Sequence, residues 1–258
     1  MRTALIGYTG FVGGNLLRQS TFTDLYRSTD IEKIENNEFD LLVISGVSAV
    51  KWWANKNAEV DRERIDKLIG HLLHVTARRV FVISTIDIYP VTQGADESFD
   101  CHAAANHAYG INRLYFEDTM LQYFPGAMIA RLGGLFGPGL KKNAVYDLMN
   151  DNGVETINPE STFQFYDMSH LWRDLLRMEE RGLSLTNFVT EPVSMREVVD
   201  AAFPCKVVGA APSPRATYDI RTRYAEAMGA SGEYLASKKT VLASLAKFVA
   251  DEAGSAGR

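Results

Sequence analysis

Three short groups of residues in this chain have types and spacings that could do chemistry, and the first is a glycine turn. The turn runs from Gly7 to Gly14, follows the apolar segment Thr3 to Ile6 and leads into a helix-like segment. Glycines spaced three apart permit a tight turn whose N–H groups, at a helix N-terminus, can cradle a dinucleotide pyrophosphate. We expect the contacts to come from Gly7, Thr9, Gly10, Phe11, Val12 and Gly13.

A second group follows the apolar segment Val80 to Ser84, which ends in hydroxyl residues. Ligands of open α/β sheets bind beyond the carboxyl ends of the strands. Thr85 could therefore hydrogen-bond a substrate carbonyl or hydroxyl, although a cap on the following turn is an alternative role.

The third group is the pair Tyr109 and Arg113, four residues apart and so on one face of a predicted helix. A nearby cation stabilises an ionised phenol, which predicts that Tyr109 is an acid/base usable near neutrality. A surface contact between the two side chains is the alternative.

The end of the second predicted strand, near Asp24 to Arg27, governs the choice of dinucleotide. If the strand ends at Tyr26, then Arg27 and Ser28 could bind a 2′-phosphate, which favours NADP. If the register differs, Asp24 or Asp30 could instead accept from a ribose 2′-hydroxyl, which favours NAD.

Four apolar runs separated by amphipathic segments predict an α/β fold, a Rossmann-type doubly wound parallel sheet. The runs are Thr3 to Ile6, Leu41 to Ser45, Val80 to Ser84 and Met128 to Leu132, and the helices lie near Ala58 to Leu73, Asn106 to Leu121 and Ala144 to Met149. Few residues separate Arg27 from Leu41, so one strand-helix unit is expected to be cut short there. We assign residues 1–138 to the dinucleotide-binding domain and 139–258 to a smaller substrate-facing lobe, parts of which return to the main sheet.

Composition excludes several classes of function. With 258 residues, 46% of them hydrophobic, and a formal net charge of −5, the chain is expected to be a soluble globular protein that binds neither nucleic acid nor membranes. Cys101 and Cys205 are too few for a disulfide framework, and Met1 leads directly into a strand, so we expect a cytoplasmic protein. The spacing of Cys101, His102 and His107 is not that of a metal site, and no metal is expected.

The order and spacing of the three groups resemble the extended short-chain dehydrogenase/reductase superfamily, which contains nucleotide-sugar epimerases, dehydratases and 4-keto-sugar reductases. Thr85 and Tyr109 fall on that family's catalytic Ser/Thr and Tyr, and the resemblance continues through Arg131 to Pro138 and Phe165 to Met168. The resemblance implies hydride exchange with a nicotinamide, proton transfer by Tyr109 and a hydrogen bond from Thr85 to the reacting oxygen. It also implies a homodimer. Further cofactor contacts are expected from Ser45, Gly46 and Ser84, and substrate contacts from Asp87, Lys141, Asn143 and Arg215.

The chain departs from the family pattern at three places. Arg113 stands where the family has a catalytic Lys, Gly134 where many members have Asn, and Phe163-Gln164 where sugar-nucleotide enzymes usually have an Arg. Arginine does not deprotonate in a proton relay. We therefore consider an NADP-preferring oxidoreductase acting on a keto or hydroxyl carbon, an epimerase or dehydratase that retains NAD, and a cofactor-binding sensor without catalysis.

Overall fold

A computed structural model describes residues 1–256; Gly257 and Arg258, the end of the predicted second lobe, lie outside the described residues. The strands are β1 (Thr3–Ile6), β2 (Asp24–Tyr26), β3 (Glu38–Phe39), β4 (Leu41–Ile44), β5 (Thr76–Ala77), β6 (Val80–Thr85), β7 (Met128–Leu132), β8 (Gly134–Phe136), β9 (Thr162–Phe163), β10 (Phe165–Asp167), β11 (Leu185–Phe188) and β12 (Val193–Ser194). The helices are α1 (Phe11–Leu17), α2 (Lys51–Lys56), α3 (Ala58–Leu72), α4 (Ala108–Tyr123), α5 (Ala144–Asn150), α6 (Leu171–Glu180), α7 (Met195–Ala202) and α8 (Lys238–Ala256).

The main sheet has the strand order β11-β7-β6-β4-β1-β2. β1 pairs in parallel with both β2 and β4, and β4 pairs in parallel with β6. The strand order reverses between β1 and β4, which defines the topological switch point of a doubly wound fold. This confirms the predicted Rossmann-type sheet.

The short connection after β2 explains the edge of that sheet. Ile31–Ile34 forms a single 3₁₀ turn, and β3 pairs with β5 rather than with the main sheet. As predicted, one strand-helix unit is cut short, and β2 is the edge strand.

Helices α3 and α4 cover part of the sheet with apolar side chains at helical spacing. Ile65, Ile69 and Leu72 of α3, and Phe116 and Met120 of α4, lie in one buried cluster with residues of β1, β4 and β6. All four residues of β1 and of β4 are buried, as expected for strands covered on both faces. The strands therefore provide a rigid base for the loops that follow them.

The chain forms two compact units, which do not follow the single predicted cut after Pro138. Among the described residues, the first comprises 1–90, 98–131 and 171–186, and the second comprises 91–97, 132–170 and 187–256. The aromatic contacts of Trp172 explain why α6 belongs to the first unit: its ring meets those of Phe22 and Phe81 edge-on, with centroids 5.6 and 6.4 Å apart. β11 also returns to the main sheet.

The second unit is built on two small sheets, β8 with β10 and β9 with β12. Strands β9 and β10 are separated by the single residue Gln164. The Gln164 side chain is buried and donates to the carbonyls of Thr190 and Ile220, at 2.7 Å each. Helix α6 begins at Leu171, after a 3₁₀ turn over Met168–His170. Within residues 1–256, no helix is both long and apolar enough to cross a membrane.

Candidate active site

The glycine turn joins β1 to α1 and requires its glycines for space. Gly7 has a φ of +85°, which favours glycine. A Cβ on Gly13 would lie 2.2 Å from the carbonyl oxygen of Gly7, and one on Gly10 would lie 3.2 Å from the same atom. Three glycines thus allow helix α1 to begin directly against the strand, as the sequence predicted.

The exposed surface of this turn has the chemistry of an anion cradle. No side chain caps α1 at Gly10, and Thr9 is exposed, while Phe11 and Val12 in the first helical turn are half-buried. Uncapped N–H groups at a helix start favour a phosphate. The turn therefore fits the pyrophosphate of a dinucleotide.

The loop after β4 lies against the glycine turn at the switch point. A Cβ on Gly7 would come within 2.5 Å of the Ser45 carbonyl oxygen, and one on Gly46 within 2.8 Å of Ile6 Cγ2. The Ser45 hydroxyl donates to the Ile6 carbonyl at 2.7 Å, so this side chain already has a structural role. By contrast, the Ser84 hydroxyl is buried with no hydrogen-bond partner among the described residues.

β2 ends at Tyr26, the register under which the sequence predicted a 2′-phosphate site. The Tyr26 carbonyl accepts from Gly7 N at 2.8 Å, so Arg27 emerges beside the glycine turn. The Arg27 side chain is half-exposed, and its Nε lies 3.6 Å from Asp30 Oδ2. Asp24 instead pairs with Arg2 at 2.7 Å, and this hydrogen bond lowers the pKa of Asp24.

Thr85 and Tyr109 are brought together although they come from β6 and α4. Tyr109 is buried in the first turn of α4, where its backbone N–H donates to Asn55 Oδ1 at 2.9 Å. The Thr85 side chain lies near enough to the Tyr109 hydroxyl to lower the pKa of that phenol. Thr85 Oγ also accepts from the backbone N–H of Asp87 at 3.1 Å, so the capping role that the sequence left open coexists with the contact to Tyr109.

Arg113 lies on the same face of α4 as Tyr109, as its spacing predicted, but its main partner is Asp61 of α3. Two guanidinium nitrogens donate to the Asp61 carboxylate at 2.7 and 3.0 Å, and one also donates to the Ser48 carbonyl. The guanidinium carbon lies 4.3 Å from the centre of the Tyr109 ring. Arg113 therefore contacts the ring while an acid neutralises its charge.

The protonation of Tyr109 differs from the sequence-based expectation. Burial raises the pKa of Tyr109, and the negative charge of Asp87 adds to this effect, which outweighs the opposing effects of Arg113 and Thr85. The expectation that Arg113 would make the phenol ionise near neutrality is wrong, because desolvation dominates. Tyr109 is a protonated phenol at neutral pH.

Asp61 is a site residue that sequence reasoning missed. It occupies the buried face of α3, four residues before Ile65 and eight before Ile69. Burial acts to raise its pKa, but hydrogen bonds from Arg113 and Asn112 lower it below the usual value. A buried carboxylate needs a partner of opposite charge. The position of Asp61 among apolar residues at helical spacing was therefore the sequence signal for a buried ion pair.

Asp87, a predicted substrate contact, pairs with another missed residue, Lys51 of α2. The Lys51 ammonium lies 2.7 Å from Asp87 Oδ1, and both side chains are partly exposed. Nearby, His107 Nδ1 accepts from Gly110 N at 3.0 Å and so caps α4. Burial, followed by the charge of Lys51, lowers the pKa of His107, which is neutral at pH 7. Charged groups therefore flank Tyr109 without forming a metal site, and no cluster suited to a metal occurs in residues 1–256.

The other predicted substrate contacts belong to the second unit. Lys141 and Arg215 are exposed there. The Asn143 side chain caps α5: its carbonyl oxygen accepts from Val145 N and Tyr146 N, and its amide donates to a strand carbonyl at 2.8 Å. Capping thus already occupies much of the hydrogen-bonding capacity of Asn143.

Two departures from the family pattern have a packing reason within the second unit. A Cβ on Gly134 would lie 2.9 Å from the Gln164 carbonyl oxygen and 3.3 Å from Phe165 Cδ1. An Asn side chain does not fit there without a shift of β8 or β10. Gln164 is itself committed to backbone partners, so neither residue replaces the missing polar groups.

Comparisons with known proteins identify the fold. Neither a family model nor a curated protein matches the chain. Among solved structures, it is similar to a dTDP-4-dehydrorhamnose reductase from Clostridium acetobutylicum, with a TM-score of 0.74 and 14% identity over 96% of this chain and 98% of that one. The UDP-glucose 4-epimerase of Thermotoga maritima, with UDP-glucose, gives a TM-score of 0.75 and 12% identity over 96% and 97%. The protein RMD from Pseudomonas aeruginosa, complexed with NADPH, gives 0.71 and 15% over 97% of each.

These similarities extend over nearly the whole of both chains, at identities that establish the fold. The chain therefore has the fold of nucleotide-sugar reductases and epimerases, and the resemblance first stated from the sequence holds at that level.

Proposed function

We propose that this protein is an NADP-preferring oxidoreductase that moves hydride between a nicotinamide and a keto or hydroxyl carbon of a nucleotide-linked sugar. One observation carries the proposal: the Thr85–Tyr109 pair follows a strand of the sheet whose switch point holds the glycine turn. Ligands of open α/β sheets bind at this edge. The names of the similar structures, a dTDP-4-dehydrorhamnose reductase and a protein complexed with NADPH, support the substrate class and the cofactor.

The side chains favour the direction of reduction. The nicotinamide, when bound, supplies or accepts a hydride. Tyr109, protonated at neutral pH, would donate its proton to the substrate oxygen as negative charge develops there. Thr85 would donate a hydrogen bond to the same oxygen and so hold it beside the phenol. Arg113 stabilises the resulting phenolate only partly, because Asp61 neutralises it.

Two other functions use the same site. An epimerase or dehydratase would retain its cofactor, and the similar UDP-glucose 4-epimerase structure supports this alternative. A cofactor-binding sensor is favoured by Arg113, whose commitment to Asp61 removes it from the role of the family lysine. NAD that copurifies with the protein would favour the epimerase or dehydratase. Bound cofactor without turnover of any substrate would favour the sensor.

Exposed apolar side chains and free thiols support a proposed assembly and location. We propose a cytoplasmic homodimer that uses α3 and α4, since Val60 and Ile111 on these helices are 42% and 50% exposed. Cys101 and Cys205 are free thiols, in keeping with a reducing compartment. Sedimentation equilibrium tests the dimer, and the mass of a single chain would contradict it.

Titration of the purified protein with NADPH and NADH tests the cofactor proposal. Arg27→Ala is expected to weaken NADPH binding by roughly 10- to 100-fold, because a charge-assisted contact to the 2′-phosphate is lost. NADH binding to the same variant is the internal control and should not change. Tryptophan fluorescence or heat release reports both affinities. If Arg27→Ala weakened the binding of NADPH and NADH equally, Arg27 would not belong to a 2′-phosphate site. If the unmodified protein bound neither NADPH nor NADH, the oxidoreductase proposal would be overturned.

A further inference from the structure

The ion pair between Asp61 and Arg113, next to Tyr109, is buried and extensively hydrogen-bonded. The side chains of Asp61 and Arg113 are 2% and 4% exposed. Asp61 receives two hydrogen bonds from Arg113 and one from Asn112 Nδ2 at 2.9 Å. Removal of either ion would leave the other buried and unpaired, at a considerable cost in stability. The pair is therefore a fixed part of the site.

This pair determines what Arg113 can do. Three hydrogen bonds from its guanidinium go to Asp61 and the Ser48 carbonyl. Its flat face remains for the Tyr109 ring, 4.3 Å away. A guanidinium held in this way acts through its position and its remaining charge.

We propose that Asp61 is a positioning residue: it holds Arg113 against the ring of Tyr109, neutralises its charge and thereby keeps Tyr109 protonated to higher pH. The importance of this role for catalysis rests on the proposed function. The effect of Asp61 on the Tyr109 phenol does not, because it can be measured in the protein without cofactor or substrate. An unpaired Arg113 would attract a phenolate, and the phenol would then lose its proton more easily.

Other charged or titratable groups lie around Tyr109 and must be held constant. The groups on the surrounding elements are Asp87, its partner Lys51, and His107, whose ring centre lies 6.2 Å from that of Tyr109. None of them contacts Asp61 or Arg113 in the hydrogen bonds described for this pair. Arg64 also acts on Asp61, so a change of Asp61 is compared with a change of both Asp61 and Arg113.

Asp61→Asn removes the neutralising charge and keeps the side-chain shape. Reduction requires protonated Tyr109, so activity falls as the pH rises through the pKa of this phenol. In Asp61→Asn that decline should move to lower pH by roughly one unit or more, the size expected for one nearby charge. The ultraviolet titration of the Tyr109 phenol, obtained by difference from Tyr109→Phe, should move in the same direction.

Two further variants make the result decisive. Asp66→Asn removes an exposed carboxylate from the same helix and should leave both titrations unchanged. The double variant Asp61→Asn/Arg113→Gln replaces the ions with neutral amides, which protects folding, and should return the Tyr109 titration to the wild-type pH or above. The proposal would be overturned if the Tyr109 phenol titrated at the same pH in the wild type and in Asp61→Asn. It would also be overturned if the phenol titrated at as low a pH in the double variant as in Asp61→Asn. Since this titration needs neither cofactor nor turnover, failure of the proposed function would appear separately, as absence of activity in the wild type.

Discussion

Tyr109→Phe is expected to lower kcat for NADPH-dependent reduction by roughly 10²- to 10⁴-fold, the range typical for loss of a general acid. The variant removes only the phenol hydroxyl near Thr85. The ring remains to contact Arg113, so the Kd for NADPH should stay within about twofold of the wild type, well under the tenfold change that 1.4 kcal/mol produces. Steady-state kinetics and a cofactor titration measure the two quantities.

Tyr123→Phe is the matched control, since this tyrosine ends the same helix and is 47% exposed. It should retain full activity. If Tyr109→Phe also retained kcat, Tyr109 would not be the proton donor. If the wild type bound NADPH but reduced none of the nucleotide-linked keto sugars offered, the sensor alternative would be favoured.

Gly13→Ala is expected to abolish measurable dinucleotide binding and to lower the free energy of unfolding by about 1–3 kcal/mol, the usual cost of overpacking. The added Cβ would lie 2.2 Å from the Gly7 carbonyl oxygen and 2.7 Å from Tyr8 Cα. Both are backbone atoms, so α1 must move away from β1. This movement would open the turn that fits the pyrophosphate.

Gly14→Ala provides the control one residue further along α1. Its Cβ would meet no atom closer than 3.9 Å, and an alanine within a helix is favoured over glycine by roughly 0.5–1 kcal/mol. Denaturant unfolding and NADPH titration of the two variants separate local crowding from helix propensity. Wild-type affinity in Gly13→Ala would show that the turn does not form the cofactor site.

The sheet and its glycine turn could be predicted because their signals are local. Three consecutive apolar residues in β1, followed by glycines at 7, 10 and 13, indicate a strand, a tight turn and a helix start in this order. β2 ends at Tyr26, which is the register that places Arg27 and Ser28, rather than Asp24 or Asp30, after the strand. The interleaving of the two units was not predictable, because it depends on where Trp172 packs rather than on any change in composition.

The proximity of Tyr109 and Arg113 could be predicted, but the electrostatics of this pair could not. Spacing placed Tyr109 and Arg113 on one helical face, but the partner of Arg113 comes from another helix, 52 residues away along the chain. Sequence reasoning therefore treated Arg113 as an unopposed cation. It also omitted the burial of the phenol, which is the larger effect and reverses the expected direction of the Tyr109 pKa.

Transfer of deuterium from NADPH labelled at nicotinamide C4 to a nucleotide-linked 4-keto sugar tests the central claim most directly. The proposed function predicts that mass spectrometry will find one deuterium bound to carbon in the reduced sugar, with one NADPH oxidised per product. Unchanged substrate beside bound, unoxidised NADPH, with every keto sugar offered, would contradict it. Conversion of a nucleotide sugar without net oxidation of added NADPH would likewise replace the reductase with an isomerase that retains its cofactor.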